Sequence, residues 1–74
     1  MISEEGKRFL NNLVIVETGS GKIDATCIKD NVIKELSELG LIEESNYTYR
    51  DSDAQGVWCI RNKLTVAGKA YLEN

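Results

Sequence analysis

The succession of patterns in the second half of the chain constrains the fold more than any other feature. An apolar stripe at helical spacing ends at Leu39. Gly40 follows at once, and glycine is the residue type that most often closes a helix in the left-handed conformation. Asp24 and Asp30 are candidate N-caps, which predicts a short helix, a turn and then a longer helix. The stripe consists of Ala25, Ile28, Val32, Ile33, Leu36 and Leu39.

Two segments with strand character come after this helix. Residues 43–50 and 57–64 carry aromatic and branched side chains, and the polar run 51–56 between them has the composition of a turn. Thr65 is in place to cap a last helix over residues 66–73. The residues expected to face the core are Trp58, Ile60 and Leu64 of the second strand and Ala67, Ala70 and Tyr71 of the last helix. The sequence therefore predicts one α+β domain, with helices followed by a hairpin and a short closing helix.

The first part of the chain predicts a helix and then a break. Ser3 is in place to cap a helix that extends to about Val16, and the two glutamates after it suit the positive end of the helix dipole. Residues 18–21 contain two glycines and interrupt the pattern. They join this helix to a second one, or they form the turn of a hairpin between residues 13–18 and 22–26. The hairpin alternative would remove the helix-turn-helix.

Composition and charge narrow the classes of function. The chain has 74 residues, which suits one domain, and its net charge of -3 argues against strong binding of nucleic acid by charge alone. It has no histidine and no phosphate-binding loop, so neither an enzymatic function nor a cofactor nor a metal is expected. The two cysteines are expected as free thiols. No apolar run approaches the roughly 18 residues that span a bilayer, and a cytoplasmic protein is the expectation.

Two motifs resemble those of winged helix-turn-helix regulators of the MarR and PadR families. Residues 36–42, Leu-Ser-Glu-Leu-Gly-Leu-Ile, are similar to the end of their recognition helix. Residues 64–68, Leu-Thr-Val-Ala-Gly, are similar to the junction between their wing and the next helix. The similarity covers about residues 28–72 and implies a winged-helix fold and a small bacterial or phage transcription regulator that binds double-stranded DNA. A symmetric homodimer would double the contacts with DNA.

The resemblance also implies a set of DNA-contact residues. The helix ending at Leu39 would enter the major groove with its amino-terminal residues toward the bases, and cations on the hairpin would hold the backbone. Lysine suits phosphate or guanine, and asparagine suits the adenine edge. The residues implied at the bases are Thr26, Lys29, Asn31 and Lys34, and those implied at the backbone are Lys22, Arg50, Arg61 and Lys63. Solvated charges without a partner are the alternative, because Glu35 and Glu38 share the helix surface.

A second function stays open because the predicted hairpin is acidic. Residues 43–56 contain four carboxylates and one cation, Arg50. The carboxylates are Glu43, Glu44, Asp51 and Asp53. Such a hairpin would meet a basic surface on a protein partner, or it would imitate the charge of DNA. Both a DNA-binding protein and a protein-interaction module are therefore consistent with the sequence.

Overall fold

Three α-helices and a two-stranded antiparallel hairpin form the predicted α+β fold in residues 2–50 and 57–73, which the computed structural model describes. The predicted turn at 51–56, with Asp51 and Asp53, lies outside the described residues. In chain order the elements are α1 (Glu4–Thr18), one turn of 3₁₀ helix (Ala25–Cys27), α2 (Asp30–Glu38), β1 (Ile42–Tyr49), β2 (Trp58–Leu64) and α3 (Val66–Glu73). A hairpin placed directly after α2 is compatible with a winged-helix arrangement.

α1 begins where the sequence predicts and ends two residues later than expected. The Ser3 hydroxyl oxygen accepts a hydrogen bond from the Gly6 N–H at 3.0 Å, which makes Ser3 the N-cap. The helix extends to Thr18 because the branched residues of its last turns pack against the core. Gly19, at a φ of 74°, is the left-handed residue that closes it. Since residues 13–18 are helical, the hairpin alternative for the glycine break is wrong.

The segment between α1 and α2 forms one 3₁₀ turn in place of a full second helix. Asp24 caps it as predicted, because its carboxylate accepts a hydrogen bond from the Thr26 N–H at 2.9 Å. Asp30, the other candidate cap, is instead the first residue of α2, behind Lys29, which makes no side-chain capping bond. α2 ends before Gly40, whose φ of 71° is the left-handed conformation expected there.

A β-bulge shifts the register of the hairpin. The pairs across the strands include Ile42 with Leu64, Glu44 with Asn62, Tyr47 with Ile60 and Tyr49 with Trp58. Ser45 and Asn46 therefore lie opposite Arg61 alone, which is the two-against-one count of a bulge. Because side chains alternate between faces along a strand, the extra residue turns both tyrosines of β1 to the face that carries Ile42.

α3 packs closely against Leu41, in the connection between α2 and β1. Its predicted cap is confirmed, since the Thr65 hydroxyl oxygen accepts a hydrogen bond from the Gly68 N–H at 3.0 Å. Ala67 and Ala70, which were expected in the core, are exposed. Gly68 is buried instead, and a Cβ added to it would lie 2.1 Å from the Leu41 carbonyl oxygen. The helix thus turns its smallest residue inward, which allows the two backbones to approach.

One cluster of buried apolar side chains connects the elements. Its members are Ile2, Phe9, Leu10, Leu13, Cys27, Val32, Leu36, Leu41, Ile42, Ile60 and Leu64. Of the predicted stripe, Val32 and Leu36 belong to this cluster, and Ile28 and Ile33 are half-buried against it. Ala25, in the 3₁₀ turn, and Leu39, after the last residue of α2, are exposed. Both cysteines are free, as predicted, with Cys27 buried and Cys59 exposed.

Candidate functional site

The exposed side of α2 presents two of the residues predicted to contact DNA. Asn31 and Lys34 are both exposed and lie three residues apart, which places them on one side of the helix. Arg61 of β2 is also exposed, and it lines a groove together with Ile33, the neighbour of Lys34 in the sequence. β2 therefore passes near α2 at Ile33, and Arg61 is an exposed cation on that strand. We call Asn31, Lys34 and Arg61 the α2 surface.

Two further predicted contacts are already engaged by carboxylates. Lys29 Nζ lies 2.6 Å from Glu5 Oε2, and Lys63 Nζ lies 3.2 Å from Glu43 Oε1. The hydrogen bond from Lys29 lowers the pKa of Glu5 below its ordinary value, so this carboxylate stays charged at neutral pH. A phosphate would have to displace a carboxylate to reach either lysine.

The three remaining predicted contacts lie on other parts of the chain. The Thr26 hydroxyl donates to Asp24 Oδ1 at 2.5 Å and accepts from Arg8 Nη1 at 3.2 Å, so its hydrogen-bonding capacity is used within the chain. Lys22 is exposed in the loop after α1, and Arg50 is exposed just after β1. These residues do not belong to α2 or β2, unlike those of the α2 surface.

A cleft between α2 and the hairpin has an apolar end and a polar end. The apolar end encloses about 140 Å³ between α1, α2 and β2, and the polar end lies along the bulge. Ile33, Arg61 and Asn62 line both ends, so the two are adjacent, and we call them together the α2–hairpin cleft. The other lining residues are Phe9, Asn12, Leu13, Ile28, Cys59 and Ile60 at the apolar end and Glu44, Ser45 and Asn46 at the polar end.

Asn62 is a nearly buried polar residue in the wall of this cleft. It is 8% exposed and lies on the sheet face that also carries Ile60 and Leu64. The hydrogen bonds among residues 2–50 and 57–73 include none to its side-chain amide. Its amide atoms are not among the fully enclosed atoms without a partner, which include Arg8 Nε, so solvent in the cleft can satisfy its two donors and one acceptor.

Asn12 is equally buried, but its amide is fully used. Its Nδ2 donates to the Asp24 carbonyl oxygen at 2.9 Å and to Cys27 Sγ at 3.2 Å, and its Oδ1 accepts from the Asp24 N–H at 2.9 Å. Arg8 Nη1 adds a contact to the Asp24 carboxylate at 3.4 Å. We call these four residues with Thr26 the α1 clamp, since they fasten the loop to the first helix.

The bulge and Asn62 were missed by the sequence reasoning, although the sequence contains a signal for the bulge. Ile42 is at an even position, whereas Tyr47 and Tyr49 are at odd positions. A regular strand cannot place all three on one face, because its side chains alternate with a period of two. The partner-free amide of Asn62 has no such signal, since it depends on which groups the fold brings near.

The described residues offer neither a metal site nor a membrane-spanning helix. Within residues 2–50 and 57–73, no three side chains among the histidine, cysteine, aspartate and glutamate types lie close enough to hold a metal ion. Over the same ranges, no helix combines the length and apolar character needed to cross a membrane. The α2 surface and the α2–hairpin cleft are therefore the features from which a function can be argued.

Comparison with known proteins gives a partial similarity. A stretch of 59 residues, 80% of this chain, is 34% identical to part of a UDP-N-acetylmuramoylalanine--D-glutamate ligase from Lachnoclostridium phytofermentans. The chain spans 13% of the length of that ligase, too little to place it in the ligase family. No protein-family model matches the chain, and no solved structure matches it.

Proposed function

We propose that this protein binds double-stranded DNA through the α2 surface, as a small transcription regulator. The observation that carries the proposal is the exposure of Asn31 and Lys34 on one side of α2, the helix that directly precedes the hairpin, with Arg61 exposed on β2. Asn31 would contact an adenine edge, Lys34 a guanine or a phosphate, and Arg61 a phosphate of the same groove. The proposed role is non-catalytic. A homodimer would present a second α2 surface to the neighbouring half-site of the DNA.

The ion pairs set the expected strength of this binding. With Lys29 and Lys63 engaged by Glu5 and Glu43, few cations remain for phosphates. For about three phosphate contacts, the logarithm of the binding constant should fall with the logarithm of salt concentration with a slope of about -2.7. Raising salt from about 50 to about 200 mM would then weaken binding roughly fortyfold.

The test is fluorescence anisotropy with a labelled duplex of random sequence, about 20 base pairs long, which covers roughly two helical turns. Lys34→Glu and Arg61→Glu should each weaken binding at least about tenfold and make the salt slope shallower. Lys7→Glu is the matched control, because it makes the same charge change at an exposed position on α1. The absence of binding by the unchanged protein even at about 50 mM salt, where phosphate contacts are strongest, would reject the proposal.

A second variant tests whether the ion pairs limit DNA binding. Glu5→Gln leaves Lys29 without its carboxylate, so affinity should rise severalfold and the salt slope should steepen by about one. Glu73→Gln, on α3, changes the net charge equally and is the control. An equal gain from both variants would mean that net charge matters and the release of Lys29 does not.

A protein-interaction function is the second candidate, favoured by the exposure of Glu43 and Glu44 on β1. The acidic hairpin would then meet a basic surface on the partner, and charge complementarity would set the choice of partner. Replacing both Asp51 and Asp53 with lysine should abolish capture of such a partner. An unchanged set of captured proteins, with DNA binding intact, would leave the DNA function as the better account.

A further inference from the structure

We propose that the exposed side of α2 reads one G·C base pair of the DNA. The Asp30 carboxylate accepts a hydrogen bond from the cytosine amino group, and the Lys34 ammonium donates to the guanine of the same pair. This inference rests on the proposed function and adds Asp30, which the winged-helix resemblance does not imply, as a residue that determines specificity. The charges on this side of α2, the place of Asp30 in the helix and its lack of a partner carry the inference.

The exposed side of α2 carries more negative than positive charge. Asp30, Lys34 and Glu38 follow one another at intervals of four residues, and all three are exposed. A helix that held DNA through phosphates alone would carry mainly cations here, because a carboxylate repels each phosphate. A carboxylate at the end of the helix that enters the groove therefore needs a hydrogen-bond donor on the DNA. Phosphates only accept hydrogen bonds, so the base edges have to supply this donor.

Asp30 lies at the end of α2 that would reach the bases. It is the first residue of the helix, directly before Asn31 and one turn before Lys34. Side chains four residues apart on a helix are neighbours, with about 5–6 Å between their Cβ atoms, so Asp30 and Lys34 can contact the same base pair. Glu38 is the last residue of α2 and would stay outside the groove. The two acidic residues on this side therefore differ in how closely they would approach the bases.

The side chains of Asp30 and Lys34 form no hydrogen bond or ion pair within the described part of the chain. The next charged residue, Glu35, is engaged by the segment before α1. Its carboxylate accepts hydrogen bonds from the Ser3 N–H at 2.9 Å and from the Ser3 hydroxyl at 3.2 Å. The fold thus uses the carboxylate of α2 that faces α1, and it leaves the carboxylate and the ammonium on the exposed side available to DNA.

These two groups match the major-groove edge of a G·C pair. Cytosine presents its N4 amino group as a donor, and guanine presents the N7 and O6 acceptors beside it. A carboxylate only accepts and an ammonium only donates, so Asp30 and Lys34 complement both bases at once. In an A·T pair the donor, adenine N6, lies between the acceptors adenine N7 and thymine O4, which would repel a carboxylate. The arrangement therefore favours G·C over A·T at this position.

The experiment is a selection of duplexes from a library of random sequence by the whole chain, followed by anisotropy with the enriched duplex. The enriched site should contain one fixed G·C pair. Replacing its cytosine with N4-methylcytosine removes the amino donor from the major groove and keeps the base pair. This change should weaken binding by the unchanged protein at least about tenfold, the loss expected for a hydrogen bond to a charged group. Asp30→Ala should bind the methylated and unmethylated duplexes equally.

Two variants separate base reading from simple charge repulsion. Asp30→Ala should weaken binding of the enriched duplex and strengthen binding of a random duplex, because it removes an acceptor for cytosine and a negative charge near phosphates. The gain on the random duplex also shows that the variant is folded. Glu38→Ala removes the same charge from the other end of α2, so it should strengthen binding of both duplexes equally and keep the sensitivity to N4-methylcytosine.

Two results would overturn this inference and leave the DNA-binding function intact. One is an equal gain by Asp30→Ala on the enriched and the random duplex, which would make its carboxylate a source of repulsion alone. The other is an effect of N4-methylcytosine of the same size in Asp30→Ala and in the unchanged protein. The absence of binding by the unchanged protein to any duplex would reject the proposed function and this inference together.

Discussion

The α1 clamp and the α2–hairpin cleft each contain an asparagine and a cysteine, but these side chains differ in hydrogen bonding and in exposure. Each has a nearly buried asparagine and a cysteine. In the clamp, Asn12 makes three hydrogen bonds, and Cys27 is fully buried. In the cleft, the Asn62 amide has no partner among the described residues, and Cys59 is exposed. Burial alone does not show whether a side-chain amide stabilises the fold. That depends on whether the groups around the amide form hydrogen bonds with it.

The backbone next to each asparagine explains the difference. The loop that crosses α1 leaves the N–H and carbonyl of Asp24 unpaired by any helix or sheet, and Asn12 supplies a partner for both. Asn62 lies within β2, where the strand pairing with β1 uses the backbone groups on that side. The clamp therefore stabilises the fold, although Arg8 Nε is enclosed there without a partner in the described part of the chain. In the cleft, the hydrogen-bonding capacity of the Asn62 amide is left to solvent.

The largest expected contrast is in thiol reactivity. Burial raises the pKa of the Cys27 thiol, and the nearby Asp24 carboxylate adds to this effect, so little reactive thiolate forms and the reagent cannot reach it. Cys59 should react with a disulfide reagent at least about a hundredfold faster, because Cys27 reacts only when the structure opens. The measurement is the time course of colour release by Ellman's reagent. Cys59→Ser should remove the fast phase and leave the slow one, and two equal rates would show that the clamp is open.

The second contrast is in stability. Asn12→Leu removes three hydrogen bonds, so that the Asp24 N–H loses its Asn12 partner and the Asp24 carbonyl keeps only the bond from the Cys27 thiol. It should lower the free energy of unfolding by about 2–4 kcal/mol, measured by urea denaturation. Asn11→Leu, one position away on the exposed side of α1, is the control and should change stability by less than about 0.5 kcal/mol. A loss of similar size in both variants would point to helix propensity instead of the clamp.

The sequence predicts the ends of the elements well because local side-chain chemistry determines them. Ser3, Asp24 and Thr65 each cap the segment that follows by a bond to a backbone N–H within three residues, and Gly40 ends α2 through its own backbone freedom. Such residues can be recognised from the sequence because each acts on the segment next to it.

The features that distinguish the clamp from the cleft depend on residues far apart in the chain. Asn12 and Asp24 form a hydrogen bond across the glycine break at residues 18–21. The sequence allowed that break to be either a connection between helices or a hairpin turn. The approach of β2 to Ile33 of α2 follows from the packing of the hairpin. The carboxylate partners of Lys29 and Lys63 also come from other elements. The winged-helix resemblance therefore implied eight DNA contacts without showing which of them the fold engages.

The cleft should respond to substitution in the opposite direction from the clamp. Asn62→Leu replaces a partner-free amide by an apolar side chain of similar size among Leu13, Ile33 and Ile60. The free energy of unfolding should rise by at most about 1 kcal/mol, because the amide atoms of Asn62 are not among the fully enclosed atoms without a partner. Urea denaturation measures it beside Asn12→Leu. A loss of stability would show that Asn62 has a structural partner, and the cleft would then resemble the clamp.

The smallest expected contrast is in the response to acid. The hydrogen bond from the Thr26 side chain, then that from the Thr26 N–H, lowers the pKa of Asp24 below its ordinary value of 3.8. A carboxylate whose pKa is lower in the folded protein stabilises the fold above its unfolded pKa, and this contribution disappears as pH falls through the folded pKa. Asp24→Asn keeps a capping oxygen but not the charge. The variant should therefore be less stable than the unchanged protein at neutral pH and approach it below pH 3.8.

Urea denaturation at a series of pH values measures this difference, and Asn62→Leu is the matched comparison. The amide of Asn62 does not titrate, so the stability difference between that variant and the unchanged protein should be constant across the same range. A difference for Asp24→Asn that is equally constant would mean that the clamp holds Asp24 through its backbone groups and Asn12 alone. The contacts of the Asp24 carboxylate with Arg8 and Thr26 would then add nothing to stability. The difference between the clamp and the cleft would depend on Asn12 and Asn62 alone.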